Sequence, residues 1–213
     1  MMLLMMLARR PLLGLALAAV LAAAAPARAQ VPGQATDVAG VAFDNRLTLA
    51  GAPLQLNGAG VRYKFVVKVY AAGLYLAARA ATPEAVLAAA GPKRLHIVML
   101  RDIDANELGK LFTKGVEQNA SREEFIKAIP GTIRMGELFA EKKQLKAGES
   151  FAIDWIPGKG TAILVNGKAS GEAIREPEFF ASLMKIWLGK SPADRLLKDA
   201  LLGTPQAGAG SPT

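Results

Sequence analysis

Arg62 and Tyr70 share one parity in the run "VRYKFVVKVY", and Tyr75 follows in "GLYL". A guanidinium can hold a carboxylate through two parallel hydrogen bonds, and a phenol can add a third. Arg62 stands at the head of an apolar run. An arginine facing the sheet there is costly unless an acid or an anionic ligand pairs with it. Arg62 is therefore the residue that asks for an anionic partner, with Tyr70 the aromatic at the end of its own face. The alternative is a solvated rim for Arg62 and Lys64, which periodicity alone favours. On one ideal strand Arg62 and Tyr70 lie about 26 Å apart. They meet only if the sheet curls strongly or a neighbouring strand intervenes.

Other chemistries find less support. The chain has no cysteine and one histidine, His96, which excludes a disulfide framework, thiolate chemistry and a multi-histidine metal site. His96 falls mid-strand and reads as a core histidine. There is no Gly-x-Ser-x-Gly elbow. Asp102 with Asp104, and Glu123 with Glu124, sit at helix starts, where the macrodipole favours acids for structural reasons. Gly189-Lys190-Ser191 looks like the end of a phosphate loop, but Met184 stands where its first glycine belongs. It reads as a helix-ending glycine before the next cap. Gly58-Ala59-Gly60 lacks the third glycine and following helix of a dinucleotide fingerprint. These patterns leave any catalytic residue unknown, and no cofactor or metal is expected from them.

The elements that must position these residues follow from periodicity. Leu54-Gln55-Leu56 runs into Asn57-Gly58, which predicts a hairpin turn. Asp44-Asn45 predicts another. From Val61 to Tyr70 the pattern has period two, with Tyr63, Phe65, Val67 and Val69 as the core face. Gly73 marks a bulge or a close backbone approach, and a bulge would reset the face of Tyr75. "TPEAVLAAAG" is a helix capped by Thr82, and "KRLHIVMLRDI" is a strand. Asp104 with Glu107, and Ser121 with Glu124, start two helices, the second stopped by Pro130-Gly131. "TIRMGELFAEK" gives a weaker third. Two strands flank Pro157-Gly158-Lys159-Gly160, and Asn166-Gly167 opens a further hairpin. Glu176–Leu188 is a helix ended by Gly189, and Ser191 with Asp194 caps a last one. Strands gather at the two ends and helices in the middle and C-terminus, which predicts one α+β domain with a mostly antiparallel sheet.

The first 29 residues read as a secretory signal: Arg9-Arg10, an apolar stretch from Leu12 to Ala25, and cleavage after Ala29. The stretch is too short to span a bilayer, so export to the periplasm is expected. Residues 30–37 read as a flexible leader, 38–203 as the domain and 204–213 as a disordered tail. Three of the 26 Lys and Arg and none of the 18 Asp and Glu lie in the signal, so the remainder carries +5 against +8 for the whole chain. The charge is dispersed, which argues against nucleic acid as a partner.

The stretch "LNGAGVRYKFVVKVYAAGLYL", with the "DWIPGKGT…VNGK" meander and the "WLGKSPADRLLKDALLG" ending, resembles the chalcone-isomerase superfamily, and within it the exported bacterial chalcone-isomerase-like group. The resemblance spans about Val38–Gly203. It implies an open-faced β-sandwich, a large antiparallel sheet under a layer of helices with a ligand cleft between them. In the plant isomerases the motif arginine, here Arg62, helps to bind substrate and settle its charge as a phenolate adds across an enone. A threonine of that motif corresponds to Tyr70. Other active groups fall on Met99, Leu108, Gly115 and the Ile186-Trp187 pair, so most groups that would steer the phenolate and polarise the ketone are missing. The fold also has non-catalytic members resembling fatty-acid binders, in which the arginine grips a carboxylate helped by a tyrosine. The expectation is a periplasmic, non-catalytic binder of a small amphipathic acid, with Arg62 as anchor and Tyr70 or Tyr75 as helper. The alternatives are an intramolecular lyase acting on an enone-like substrate, and an interaction module whose cleft is filled by Phe112, Phe139, Met184 and Trp187.

Overall fold

The computed structural model describes residues 34–206. The signal and its cleavage site lie outside the described residues, as does the tail beyond Gln206. The described residues open with a hairpin of β1 (Ala35–Val38) and β2 (Val41–Asp44), so the expected leader is already sheet from Ala35. Next come β3 (Arg46–Leu49), β4 (Ala52–Lys64) and β5 (Val67–Leu76). Helix α1 (Pro83–Ala88) and strand β6 (Lys93–Met99) precede β7 (Ile103–Asp104). Two long helices follow, α2 (Ala105–Asn119) and α3 (Arg122–Lys142). Then come β8 (Gln144–Leu145), β9 (Ser150–Ile156), β10 (Gly160–Val165) and β11 (Lys168–Ala169). Helices α4 (Pro177–Leu188) and α5 (Arg195–Leu201) close the fold.

Seven strands form one antiparallel sheet in the order β11-β10-β9-β6-β5-β4-β3. Leu74, Leu76, Leu95, Ile97, Phe151 and Ile153 on one face bury against α2, α3 and α4 in the main core. The β1–β2 hairpin covers part of the other face through Val38 and Phe43, which pack with Leu54, Leu56, Val61 and Tyr75. This is the open-faced, helix-covered α+β sheet that the sequence predicts.

The turns differ from expectation. Asn57-Gly58 is no hairpin; it lies inside β4, whose thirteen residues run on to Lys64. Asn45 marks no reversal either, but a step from the small sheet into the large one. The reversals fall at Ala39-Gly40 (φ 55° and 82°) and Ala50-Gly51 (φ 50° and 81°). Two residues with positive φ match the twist of the flanking strands. The single strand expected over Val61–Tyr70 is also wrong. It breaks at Phe65-Val66, and Phe65, expected in the core, is 93 % exposed.

Helix α3 runs through Pro130-Gly131 where a stop is expected. Proline removes one N–H bond and crowds the preceding turn, at a cost of about 3 kcal/mol. Packing on both neighbours outweighs it: Gly131 lies so close to Phe179 of α4 that a Cβ would stand 2.4 Å from its ring. Helix α5 begins later than expected. Asp194 alone caps it, through Leu197 N–H, and Ser191 stays outside.

Candidate functional site

Two bulges interrupt the β4–β5 pair, and the first decides where Arg62 points. Between Leu56 and Gly58 strand β4 carries an extra residue, Asn57, and β5 carries the compensating one, Val69, opposite the Arg62–Tyr63 step. An extra residue reverses the alternation of faces beyond it. Leu54 and Leu56 before the bulge face the β1–β2 hairpin, and so do Val61 and Tyr63 after it. Arg62 is thereby moved to the helix side. The Asn57 amide holds the bulge, donating to the carbonyls of Ala80 (2.9 Å) and Leu201 (2.7 Å) and accepting from Ala80 N–H (2.8 Å).

Beyond the bulge the outer edge of β4 is closed by side chains rather than by a strand. Gln206 donates to Val61 C=O (3.1 Å) and accepts from Val61 N–H (2.8 Å). Asp194 accepts from Tyr63 N–H (2.8 Å). The tail expected to be disordered from 204 is thus fixed as far as Gln206. Gly58 and Gly60 let α5 lie against the strand, since a Cβ at either would enter Ala200.

Arg62 and Tyr70 are cross-strand partners, because the turn at Phe65-Val66 folds the expected single strand back on itself. The guanidinium carbon lies 5.5 Å from the centre of the Tyr70 ring, in cation–π range. Arg62 Nε is buried without a hydrogen-bond partner, and Arg62 has no ion pair among the described residues. A buried donor left unpaired costs about 1–3 kcal/mol.

A cavity of about 290 Å³ opens at this point between sheet and helices. Arg62 and Tyr70 form its floor. Leu108, Leu111, Phe112 and Gly115 of α2 wall one side, and Ile186, Pro192 and Ala193 the other. Lys114 and Gln118, both exposed, stand at its mouth. No carboxylate or imidazole lines it among the described residues. Behind it Phe112, Phe139, Phe151 and Trp187 pack edge-on or tilted, with centroids 5.5–5.7 Å apart. These aromatics fill the inner cleft, and the cavity remains beside Arg62.

Tyr70 is fully buried, and its oxygen accepts a 2.8 Å hydrogen bond from Trp187 Nε1. Burial pushes its pKa up to about 12 against the opposing pull of Arg62 and Trp187, so it remains a protonated phenol at neutral pH.

Tyr75 does not join Arg62. Its odd parity puts it on the opposite face, in the cluster under the β1–β2 hairpin, where burial and Asp44 raise its pKa well above the usual phenol value. Of the two readings of Gly73 the close approach holds: β5 pairs with β6 in unbroken register from Tyr70 to Leu76, and a Cβ at Gly73 would stand 2.6 Å from the Phe43 ring. The positions suggested by the resemblance fare better. Leu108, Gly115 and Ile186 all line the cavity, Trp187 braces Tyr70, and Met99 is buried opposite Tyr70 on β6. Sequence reasoning misses Lys114 and Gln118. Their signal is helical spacing: Leu108, Leu111, Gly115 and Gln118 form one stripe of α2.

The remaining polar candidates hold the structure. His96 packs edge-on against Phe43. Asp102 accepts from Ala147 N–H, and Asp104 caps α2. Glu124 completes the capping box of α3 and binds Lys185 of α4. Gly189 is the C-cap of α4, and its carbonyl accepts from Lys198.

A curled antiparallel sheet carrying its helices on one face, with a small arginine-marked cleft between the layers, is the chalcone-isomerase-like architecture. The family model described as Chalcone isomerase-like matches residues 35–203, and the chain belongs to that family. Among solved structures it is similar to an Arabidopsis thaliana fatty-acid binding protein, AtFAP1, with a TM-score of 0.62 and 14 % identity over 76 % of this chain and 92 % of that one. At that identity the likeness is one of fold. Among curated proteins none matches the chain.

Proposed function

We propose that this protein is an exported, non-catalytic binder of a small amphipathic carboxylate, held at the Arg62–Tyr70 cleft. The observation that carries the reading is the buried, unpaired Nε of Arg62 at the floor of a cavity with apolar walls. A carboxylate there would accept from the guanidinium fork and from the Tyr70 hydroxyl, in charge-assisted bonds worth about 1.5–3 kcal/mol each. The apolar walls would take the chain. Water occupies about 30 Å³ per molecule in the liquid, so a cavity of 290 Å³ holds about ten such groups. That suits an acid of about eight carbons, with a longer chain emerging past Lys114 and Gln118. AtFAP1, a fatty-acid binding protein of the same fold, agrees with this ligand class. Among the described residues the lining holds no carboxylate or imidazole, the groups that most often move protons, and burial keeps its Tyr70 phenol protonated, which supports binding over turnover.

The test is native mass spectrometry of residues 30–213 purified from periplasm, for wild type and Arg62→Ala side by side, with octanoate added to stripped protein. An acid bound to wild type and lost from the variant supports the reading. Equal binding by both, or none by either, overturns it. Fractionation of the expressing cells tests the periplasmic location, which a full-length cytoplasmic product contradicts.

A further inference from the structure

The β4–β5 hairpin ends in a tip that the cleft does not explain. Phe65 is 93 % exposed, Val66 90 % and Val67 41 %, although all three are strand-forming apolar residues. Lys64 and Lys68 flank them, both exposed. Phe65 adopts φ 57°, a left-handed conformation that bulky side chains rarely take. The tip is a small apolar point between two cations.

We propose that this tip docks the protein on an anionic lipid surface, Phe65, Val66 and Val67 entering the headgroup–acyl boundary while Lys64 and Lys68 meet the lipid phosphates. Charge selects this occupant. Short apolar segments bracketed by basic residues bind anionic bilayers through both contributions together. Lys64 is only loosely countered, by Glu107 at 3.9 Å with both side chains 58 % exposed. Arg195 and Leu196 are a second exposed basic and apolar pair, near the hairpin. They follow Asp194, which is bonded to the backbone of Tyr63, and both are exposed, Leu196 by 60 %. A second copy of the chain fits less well, since a stable interface buries about 800 Å² on each partner and three side chains fall well short of it. The same hairpin carries Arg62 and Tyr70, so docking would set the cleft beside the lipid. The proposal rests on the tip alone and not on what the cleft binds.

The test is flotation of residues 30–213 with vesicles of phosphatidylglycerol in phosphatidylcholine, against phosphatidylcholine alone. Wild type should float with the anionic vesicles, less so as salt rises. The double variant Phe65→Ser/Val66→Ser should lose at least tenfold in affinity while keeping its melting temperature. In Phe65→Trp the added emission should shift to the blue only with anionic vesicles. No flotation of wild type, equal flotation of the serine variant, or an unshifted Phe65→Trp spectrum overturns the proposal. So does a wild-type dimer that the serine variant dissolves without any vesicle binding, which would make the tip a contact between copies.

Discussion

Trp187 Nε1 donates a 2.8 Å hydrogen bond to the Tyr70 hydroxyl oxygen, linking α4 to β5 beneath the cleft. An indole can only donate, so the phenol must accept here, and its own hydrogen is directed elsewhere. One buried contact thus fixes the helix layer on the sheet and sets Tyr70 as a donor.

Tyr70→Phe strands the buried indole N–H, and Trp187→Phe removes the donor and leaves a gap. Each should destabilise by about 1–3 kcal/mol. The double variant Tyr70→Phe/Trp187→Phe should cost less than the sum of the two, because neither group is then left unpaired. Urea unfolding of the four proteins measures the coupling, and strict additivity contradicts it.

Arg62 should trade stability for binding. Replacing it by Met removes the unpaired buried Nε but also the contact with Tyr70, each worth about 1 kcal/mol in opposite directions. Arg62→Met should therefore melt at or slightly above the wild-type temperature while its affinity for octanoate falls at least tenfold. A large loss of stability would mean that Arg62 is a structural residue.

Two glycines of α3 should respond in opposite senses to alanine. At Gly136 an added Cβ would enter open space, with nothing within 4 Å of it, so Gly136→Ala should stabilise by about 0.5–1 kcal/mol through helix propensity. At Gly131 the same methyl would stand 2.4 Å from the Phe179 ring. Gly131→Ala should cost about 1–3 kcal/mol net as α3 and α4 are forced apart. Thermal melts of the pair decide it.

Stability should fall as pH drops below about 6.5. Burial, followed by the charge of Arg94, lowers the pKa of His96 from 6.5, against the smaller opposing pull of Asp154 and Asp44. The folded chain then binds fewer protons than the unfolded one in this window. Stability is complete above the unfolded pKa and declines as pH falls toward the folded one, with a slope of at most about 1.4 kcal/mol per pH unit. His96→Gln should flatten that part of the profile in denaturant titrations at several pH values.

Arg94 and Asp154 form a bidentate pair at 2.6 Å between β6 and β9, with Asp154 only 2 % exposed. Asp154→Ala leaves a half-buried guanidinium without its partner and should cost about 3–5 kcal/mol. Arg94→Met/Asp154→Leu should recover much of that loss. Urea midpoints give both values.

Local signals determined much of this protein. The α+β class, the caps at Thr82, Asp104 and Ser121, and the hairpin at Asn166-Gly167 all follow from residues within a few positions of one another. Such features depend on backbone hydrogen bonds that a short segment can satisfy by itself. Arg62 and Tyr70 were also legible as a pair of suitable chemistry. Tertiary contacts decided how they meet. Period-two alternation reads the same for one straight strand and for two strands folded at Phe65-Val66, so sequence could not distinguish about 26 Å of separation from direct cross-strand pairing. The bulge at Asn57 is held by Ala80 and Leu201, residues distant in sequence, and it alone turns Arg62 from the hairpin face to the cleft. Helix α3 continues through Pro130 for the same reason, since Phe179 packs on it from α4. Local propensity is a matter of about 1–3 kcal/mol, and where long-range packing and buried hydrogen bonds outweigh it, only the folded chain records the result.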